Sequence, residues 1–438
     1  MQKNTVIAFF VLSVLFSACS VSKQIDRSAK KDITKRTDLS SAHVGISIYN
    51  PETKKYLYNY DGDKYFIPAS NTKIITCYAA MKHLGDSLDG LDVTEFNNFI
   101  VIKPTGDPTL LHPDFPNQPV ISFLQNQTKS LLYESPSWKE NAYGAGWSWD
   151  DYNDDYMPER SAMPLYGNVL SLSGKAAGLK AVPSMLLTNI SPGHFADTTM
   201  FLSNAKRSFL SNKFNLSFEG TTEKLLQVPF ITSDTLALKL LADTLHKTIG
   251  QPGKFRSAQG GAKSYKVYSQ PTDSLLKIMM HRSDNFYAEQ SLLMVSNQLL
   301  GVMSDEAIID TLLKSDLKDI PQKPRWADGS GLSRYNLFTP QDFVFVLNKM
   351  RNEFEWKRIT TIFSTGGSGT LSSRFKSLEG KIYAKTGTLS NNLALSGYII
   401  TSKGKTLIFS ILVGNHTANG VDIRNAMEQF LTGIIEKY

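Results

Sequence analysis

The pattern of apolar and polar positions divides the chain into two kinds of territory. The stretch "HVGISIYN" (43–50) alternates as a strand, a turn signal "PET" follows, and "KYLYNYD" (55–61) alternates again, which predicts a hairpin. Immediately downstream, Ile74, Ile75, Tyr78, Met81 and Leu84 fall at helical spacing with Gly85 as a stop, so a helix is expected to begin just past Pro68. The far end of the chain is equally regular. "KIYAKTGTLS" (381–390), "LALSGYIITS" and "KTLIFSILVG" predict three strands, the last two joined at Lys403-Gly404. "GVDIRNAMEQFLTGIIEKY" carries apolar residues at 423, 427, 430, 431 and 434, a helical period. Residues 273–301 predict two helices interrupted at "HRSDN". The middle, from about 85 to 266, differs: short strands and turns, with "TGDPTL" and "GAGWSWDDYNDDY", and no internal repeat. The expected class is α/β in the broad sense (α+β), one helix-flanked domain interrupted by strand-rich inserted domains.

Two features at the N-terminus change this picture. Lys3 precedes the apolar run "VIAFFVLSVLF" and then Ser17-Ala18-Cys19. The run is shorter than the ~20 residues a membrane span needs. It fits the apolar region of a secretory signal over residues 1–18. Small residues directly before a cysteine resemble a bacterial lipoprotein signal, with Cys19 as the lipidated residue, although Phe16 stands where leucine is usual. Two acyl chains on such a cysteine would anchor it stably to a membrane. The charged segment "KQIDRSAKKDITKR" (23–36) then reads as a solvated linker, placed at 19–39. With only two cysteines in the chain, lipid on Cys19 leaves Cys77 unpaired, a small buried hydrophobe on its helix.

Composition narrows the function. Hydrophobic content of 41% and charged content of 20% suit an ordinary globular protein, and the net charge of +7 is spread along the chain without any motif that reads nucleic acid. The seven histidines show no ligand spacing, so neither a metal nor another cofactor is expected. His281 sits in the interrupting loop and reads as a surface residue. No G-x-S-x-G elbow and no H-E-x-x-H helix occur, and Gly404-Lys405-Thr406 lacks the upstream glycine of a phosphate loop, with Ile399 in its place.

What remains is an ordered triple. Ser70-x-x-Lys73 opens a helix, Ser283-Asp284-Asn285 interrupts two helices, and Lys385-Thr386-Gly387-Thr388 lies on a strand. Taken alone, S-x-x-K is uninformative, since it recurs at Ser203/Lys206, Ser274/Lys277, Ser315/Lys318, Ser373/Lys376 and Ser402/Lys405. Each element also has a plain structural explanation: a solvated lysine, a helix cap, and an edge strand blunted by lysine. The three in order point to chemistry. On a helix, i and i+3 share a face, so the Lys73 amine can reach the Ser70 hydroxyl. Lysine is protonated at its reference pKa of ~10.4 and becomes a base only when desolvated or crowded by a second cation, which Lys385 could be. Ser283 can relay a proton, the Asn285 amide can donate and accept, and Lys385, Thr386 and Thr388 make a positive, hydroxyl-rich lining for a carboxylate.

Those motifs, with "TGDPTL", "GWSWDD", "SLLKIMMHRSDN", "DGSGLSRYN", "GGSGTL" and "LALSGYI", resemble the class C low-molecular-mass penicillin-binding proteins, the D-alanyl-D-alanine carboxypeptidase/endopeptidase family, from about residue 40 to 430. The resemblance implies a penicillin-binding-protein or serine β-lactamase-like transpeptidase domain, an antiparallel sheet flanked by helices, at 40–84 and 267–438. It implies an inserted domain at 85–165 and 228–266 and a nested second insert at 166–227. It implies that Ser70 is acylated, Lys73 is its base, Ser283 and Asn285 serve proton relay and substrate amide binding, and Lys385 and Thr386 hold the terminal carboxylate. It implies an oxyanion hole made of the backbone N–H groups of Ser70 and Thr388. Substrates are then D-Ala-D-Ala ends or cross-links of peptidoglycan stem peptides, β-lactams acylate the same serine, and the protein is exported to the periplasm. The alternatives are a penicillin-binding sensor or wall-tethering lipoprotein without turnover, and a serine β-lactamase.

Overall fold

The structure is a computed structural model that describes residues 21–190, 199–251 and 262–438. Cys19 and the signal at 1–18 lie outside the described residues. The first described segment corrects the reading of a solvated linker. Residues 21–34 (α1) are helical, closing in a π turn at Lys30–Thr34. Ile25, Ala29 and Ile33 recur every fourth residue and are buried in one core cluster, which also takes Ile423, Met427, Phe430 and Ile434 from the end of the chain. The charges around that thin stripe are solvated; the stripe itself is packed.

The expected hairpin follows as β1 (His43–Asn50) and β2 (Lys55–Tyr60), and a 3-10 turn at Ala69–Thr72 leads into α2 (Lys73–His83). The chain then leaves the main sheet. It builds β3 (Ser87–Glu95), β4 (Phe99–Pro104), α3 (Pro119–Gln125) and β5 (Ser130–Tyr133). Next come β6 (Val169–Ser173), β7 (Lys180–Val182), the hairpin β8 (Phe201–Arg207) and β9 (Phe214–Gly220), and β10 (Leu226–Pro229). It returns through α4 (Asp234–Leu245), β11 (Ile249–Gly250) and β12 (Lys263–Pro271). The middle therefore holds helices as well as the expected strands. A five-stranded sheet ordered β11-β5-β4-β3-β12 shares a core cluster with the smaller sheet β10-β6-β7 and the hairpin. Because β12 pairs with β3 as far as Pro271↔Ser87, we propose that the insertion ends there and not at 266.

From here the chain rejoins α2. Helices α5 (Thr272–Ile278) and α6 (Asn285–Leu300) flank a π turn at Met279–Ser283, and α7 (Asp305–Lys314), α8 (Pro340–Glu353) and α9 (Trp356–Ile362) follow. Strands β13 (Ser364–Thr365), β14 (Ile382–Leu389), β15 (Asn392–Ile400) and β16 (Thr406–Gly414) precede the final helix α10 (Gly420–Lys437). The main sheet is antiparallel, ordered β13-β14-β15-β16-β1-β2, so the two ends of the chain meet at β16–β1.

Both faces of this sheet are covered, which explains why β15 and β16 read as nearly unbroken apolar runs. Leu407, Phe409, Ile411 and Val413 point into the cluster with α1 and α10. Ile408 and Leu412 point into the cluster with α2, α6 and α8. Buried polar groups interrupt the pattern where Asn71 Nδ2 donates to Ser396 Oγ at 2.6 Å and Ser396 Oγ donates to Ser410 Oγ at 2.8 Å. This short polar chain ties the turn that carries Ser70 to the middle of the sheet.

Candidate active site

The turn that presents Ser70 is strained and closely fitted. Ala69 adopts φ 49°, a left-handed conformation that costs a residue with a Cβ about 1 kcal/mol or more and persists only where packing enforces it. Two glycines supply that packing. A Cβ on Gly331, itself at φ +81°, would lie 1.9 Å from the Ala69 carbonyl oxygen. A Cβ on Gly387 would lie 2.6 Å from the Pro68 oxygen and 3.2 Å from the Asn71 nitrogen. The glycine of K-T-G is thus the place where β14 seats against the turn that presents Ser70.

Lys73 is fully buried. Its Nζ donates to Ser70 Oγ at 3.1 Å, to Asn285 Oδ1 at 2.6 Å and to the Ser330 carbonyl oxygen at 2.7 Å. All three partners are uncharged. Burial brings its pKa down to about 8, against the more distant pull of Asp328, Asp284 and Glu289. Lys385 is also fully buried, and its Nζ donates to Ser283 Oγ at 2.8 Å and to the Thr386 carbonyl oxygen at 2.7 Å. Burial first, then repulsion from Lys73, holds Lys385 well below the usual lysine range. Repulsion between the two amines is mutual, so the crowding expected of Lys385 accompanies the burial that lowers both lysines.

The interrupting loop has two jobs. Ser283 closes the π turn at φ 62°, and Asp284 caps α6 by accepting the Tyr287 N–H at 2.8 Å. The capping explanation is therefore correct for Asp284, and the same turn aims Ser283 at Lys385 and Asn285 at Lys73. Asn285 uses both ends of its amide, since Nδ2 donates to the Tyr156 carbonyl oxygen at 2.9 Å. His281 is half-buried, because the turn folds it inward instead of leaving it on the surface.

Of the residues singled out by sequence, Ser70, Lys73 and Asn285 share one set of hydrogen bonds, and Ser283 and Lys385 share another. Thr386 and Thr388 line a cavity of about 340 Å³ beside them. The Thr388 hydroxyl accepts from Arg424 Nη2 at 3.1 Å. A second cavity of about 520 Å³ borders Ser283 and Asn285 and is walled by Asp114, Tyr156 and Gln227 from the inserted region.

Three groups escaped sequence reasoning. Ser330 acts through its backbone, which leaves no side-chain signature; Gly331 beside it, in "DGSG", was the available trace. The Ser330 N–H donates to Glu289 Oε1 at 2.7 Å. Glu289 lies 3.5 Å from Arg160, whose guanidinium also meets Asp305 at 2.5 Å and Glu140 at 3.0 Å. Burial, then Asp328, pushes Glu289 above the usual carboxylate range despite Arg160.

Comparison with known proteins adds context. A family profile described as the D-Ala-D-Ala carboxypeptidase 3 (S13) family matches residues 27–434. The chain is 22% identical over 465 residues to the D-alanyl-D-alanine carboxypeptidase DacB of Haemophilus influenzae, covering 96% of this chain and 94% of that one. Among solved structures it is similar to penicillin binding protein 4 (dacB) from Haemophilus influenzae, with a TM-score of 0.71, 20% identity, and coverage of 94% and 99%. It is also similar to a predatory peptidoglycan endopeptidase from Bdellovibrio bacteriovorus, with a TM-score of 0.51, 15% identity, and coverage of 91% and 95%.

Proposed function

The chain belongs to the D-Ala-D-Ala carboxypeptidase 3 (S13) family, and from that premise we infer that it is a serine DD-peptidase acting on the D-alanyl peptides of peptidoglycan and acylated by β-lactams. The observation that carries the assignment of residues is the buried Lys73 amine, 3.1 Å from the Ser70 hydroxyl with its pKa brought down to about 8. At pH 7 about a tenth of such amines are neutral, against fewer than about one in a thousand at the ordinary value.

We assign the steps as follows. Neutral Lys73 takes the Ser70 proton while Ser70 Oγ attacks the carbonyl carbon of the penultimate D-alanine. The charge that develops on the carbonyl oxygen is held by the backbone N–H groups of Ser70 and Thr388. The C–N bond breaks, the proton passes from Lys73 by way of Ser283 to the departing amine, and an ester on Ser70 remains. Water then adds to the ester, giving up its proton to Lys73, and the acid is released as Ser70 regains a proton. Lys385, Thr386 and Thr388 hold the terminal carboxylate, and Asn285 holds the substrate amide. The same attack opens a β-lactam ring and leaves an ester.

Export and anchoring belong to the same proposal. A signal at 1–18 and lipid on Cys19 would place the enzyme in the periplasm, fixed to a membrane. Among the described residues no helix is long and apolar enough to cross one. The test uses wild type and Ser70→Ala. Labelled penicillin should mark wild type alone, and wild type alone should digest purified muropeptides. Labelling without digestion would instead establish a penicillin-binding sensor.

A further inference from the structure

The cavity beside the K-T-G strand contains a charge that binding the terminal carboxylate does not account for. Thr386 and Thr388 form one wall of its 340 Å³, and Arg374, Arg424, Thr370 and Met427 are among the residues that complete it. Arg374 is balanced, donating to Glu428 Oε2 at 3.1 Å and Asn425 Oδ1 at 2.7 Å. Arg424 is not. Among the described residues no carboxylate pairs with it, and its hydrogen bond goes to the Thr388 hydroxyl.

Its location is electrostatically poor in a further way. Burial and then repulsion from Arg374 lower it from the usual arginine value. A guanidinium kept half-buried against these costs, touching a strand that lines the cleft, is placed to meet an anion from outside the protein.

The size of the cavity says which anion. A free D-alanine leaving group has one carboxylate, and the lining of Lys385 and the two threonines accommodates it. The cavity is far larger than one alanine needs and falls in the range of small-ligand sites. In a cross-link, the amine that departs belongs to a second stem peptide, which continues past that carboxylate and carries another. We propose that the cavity around Arg424 binds the leaving half of a cross-linked substrate, a peptide amine with a second carboxylate, and so favours cleavage of cross-links over removal of terminal D-alanine. The proposal rests on the DD-peptidase reading above.

Its test compares two defined substrates on the detergent-purified full chain: a monomeric muropeptide ending in D-Ala-D-Ala and a D-Ala cross-linked dimer. The readout is the ratio of kcat/KM for dimer over monomer. Arg424→Gln should lower that ratio about tenfold, mostly through KM for the dimer, which is the size expected for losing a hydrogen bond to a charged group. Arg424→Lys should restore part of it. Ser373→Asp, an exposed change at the cavity lining, should lower it by placing a negative charge there without disturbing the core. An unchanged ratio in Arg424→Gln overturns the proposal, as does a wild type that cleaves monomer but not dimer. A wild type that cleaves neither, and that penicillin does not label, removes the DD-peptidase reading and the subsite with it.

Discussion

Among the described residues, two of the groups of buried charged side chains lie one peptide unit apart and are balanced in opposite ways. Around Lys73 and Lys385 the direct partners are hydroxyls, an amide and backbone carbonyls. Around Arg160 the partners are three carboxylates, those of Glu140, Glu289 and Asp305. Hydrogen bonds to neutral oxygen orient an amine without fixing its charge, so burial can lower the pKa of both lysines. The carboxylates secure the charge on Arg160, whose pKa stays above the ordinary value in spite of its burial, and the strain falls on Glu140 and Glu289 instead. The difference separates a site where a proton can move from a site where elements are held. Arg160 and Glu140 come from the stretch between α2 and α5, Glu289 and Asp305 from α6 and α7, so the acidic group pins that stretch to the helices beside the main sheet. The Ser330 peptide joins the two, with its N–H on Glu289 and its oxygen on Lys73.

The strongest way to break the comparison is to delete the amine. Lys73→Met should slow acylation by penicillin at least about a thousandfold, within the range for loss of a general base. The unfolding midpoint should change little, because the hydrogen bonds lost at Asn285 and Ser330 are offset by no longer burying a cation beside Lys385. A stable variant that acylates at the wild-type rate would show that Lys73 is not the base.

Glu289→Ala attacks the other group. It leaves the Ser330 N–H unpaired and removes one of the partners of Arg160, at a cost of about 3 kcal/mol in denaturant unfolding. Acylation should fall as well, because the Ser330 oxygen that orients Lys73 loses its support. Loss of stability with acylation intact would show that the two groups are not coupled through Ser330.

The two groups were not equally legible in the sequence. Ser70, Lys73, Ser283, Asn285 and Lys385 sit in short motifs; the hairpin and α10 announce themselves by period, and β15 and β16 by nearly unbroken apolar runs. The Arg160 group has no local pattern: Arg160 and Glu289 are separated by 129 residues, and each alone reads as a surface charge. Its effect on Lys73 passes through a backbone unit, which any residue could supply. The helix α1 was hidden for a related reason. Its three apolar residues are the minority of a charged stretch, and only the partner surface on α10 makes them a core.

Rate against pH sharpens the comparison further. With Lys73 at about 8, acylation should rise about tenfold per pH unit below that value and level off above it. Stability has a matching sign. The unfolded chain holds a proton on Lys73 up to ~10.4. Between about 8 and that value the unfolded state binds more protons, so this group makes the protein more stable as pH rises, and Lys73→Met should remove that slope.

Glu289→Gln is the smallest change and separates the two kinds of balance. A carboxyl pushed up by burial keeps its proton in the folded state above the unfolded value of ~4.3. Across that interval the folded state binds more protons, so Glu289 takes stability away as pH rises, the reverse of Lys73. Glutamine has the same shape and no titration. Its amide oxygen can accept from the Ser330 N–H, so the support under Lys73 survives. Its NH2 then faces Arg160, a mismatch softened because Asp305 and Glu140 still hold the guanidinium. The net effect at pH 7 should be under about 1 kcal/mol, with acylation within about threefold of wild type. The falling limb of stability between acid and neutral pH should flatten. Urea unfolding at several pH values reads this directly. A loss in Glu289→Gln as large as in Glu289→Ala would mean that the negative charge, and not the acceptor for Ser330, holds the cluster together.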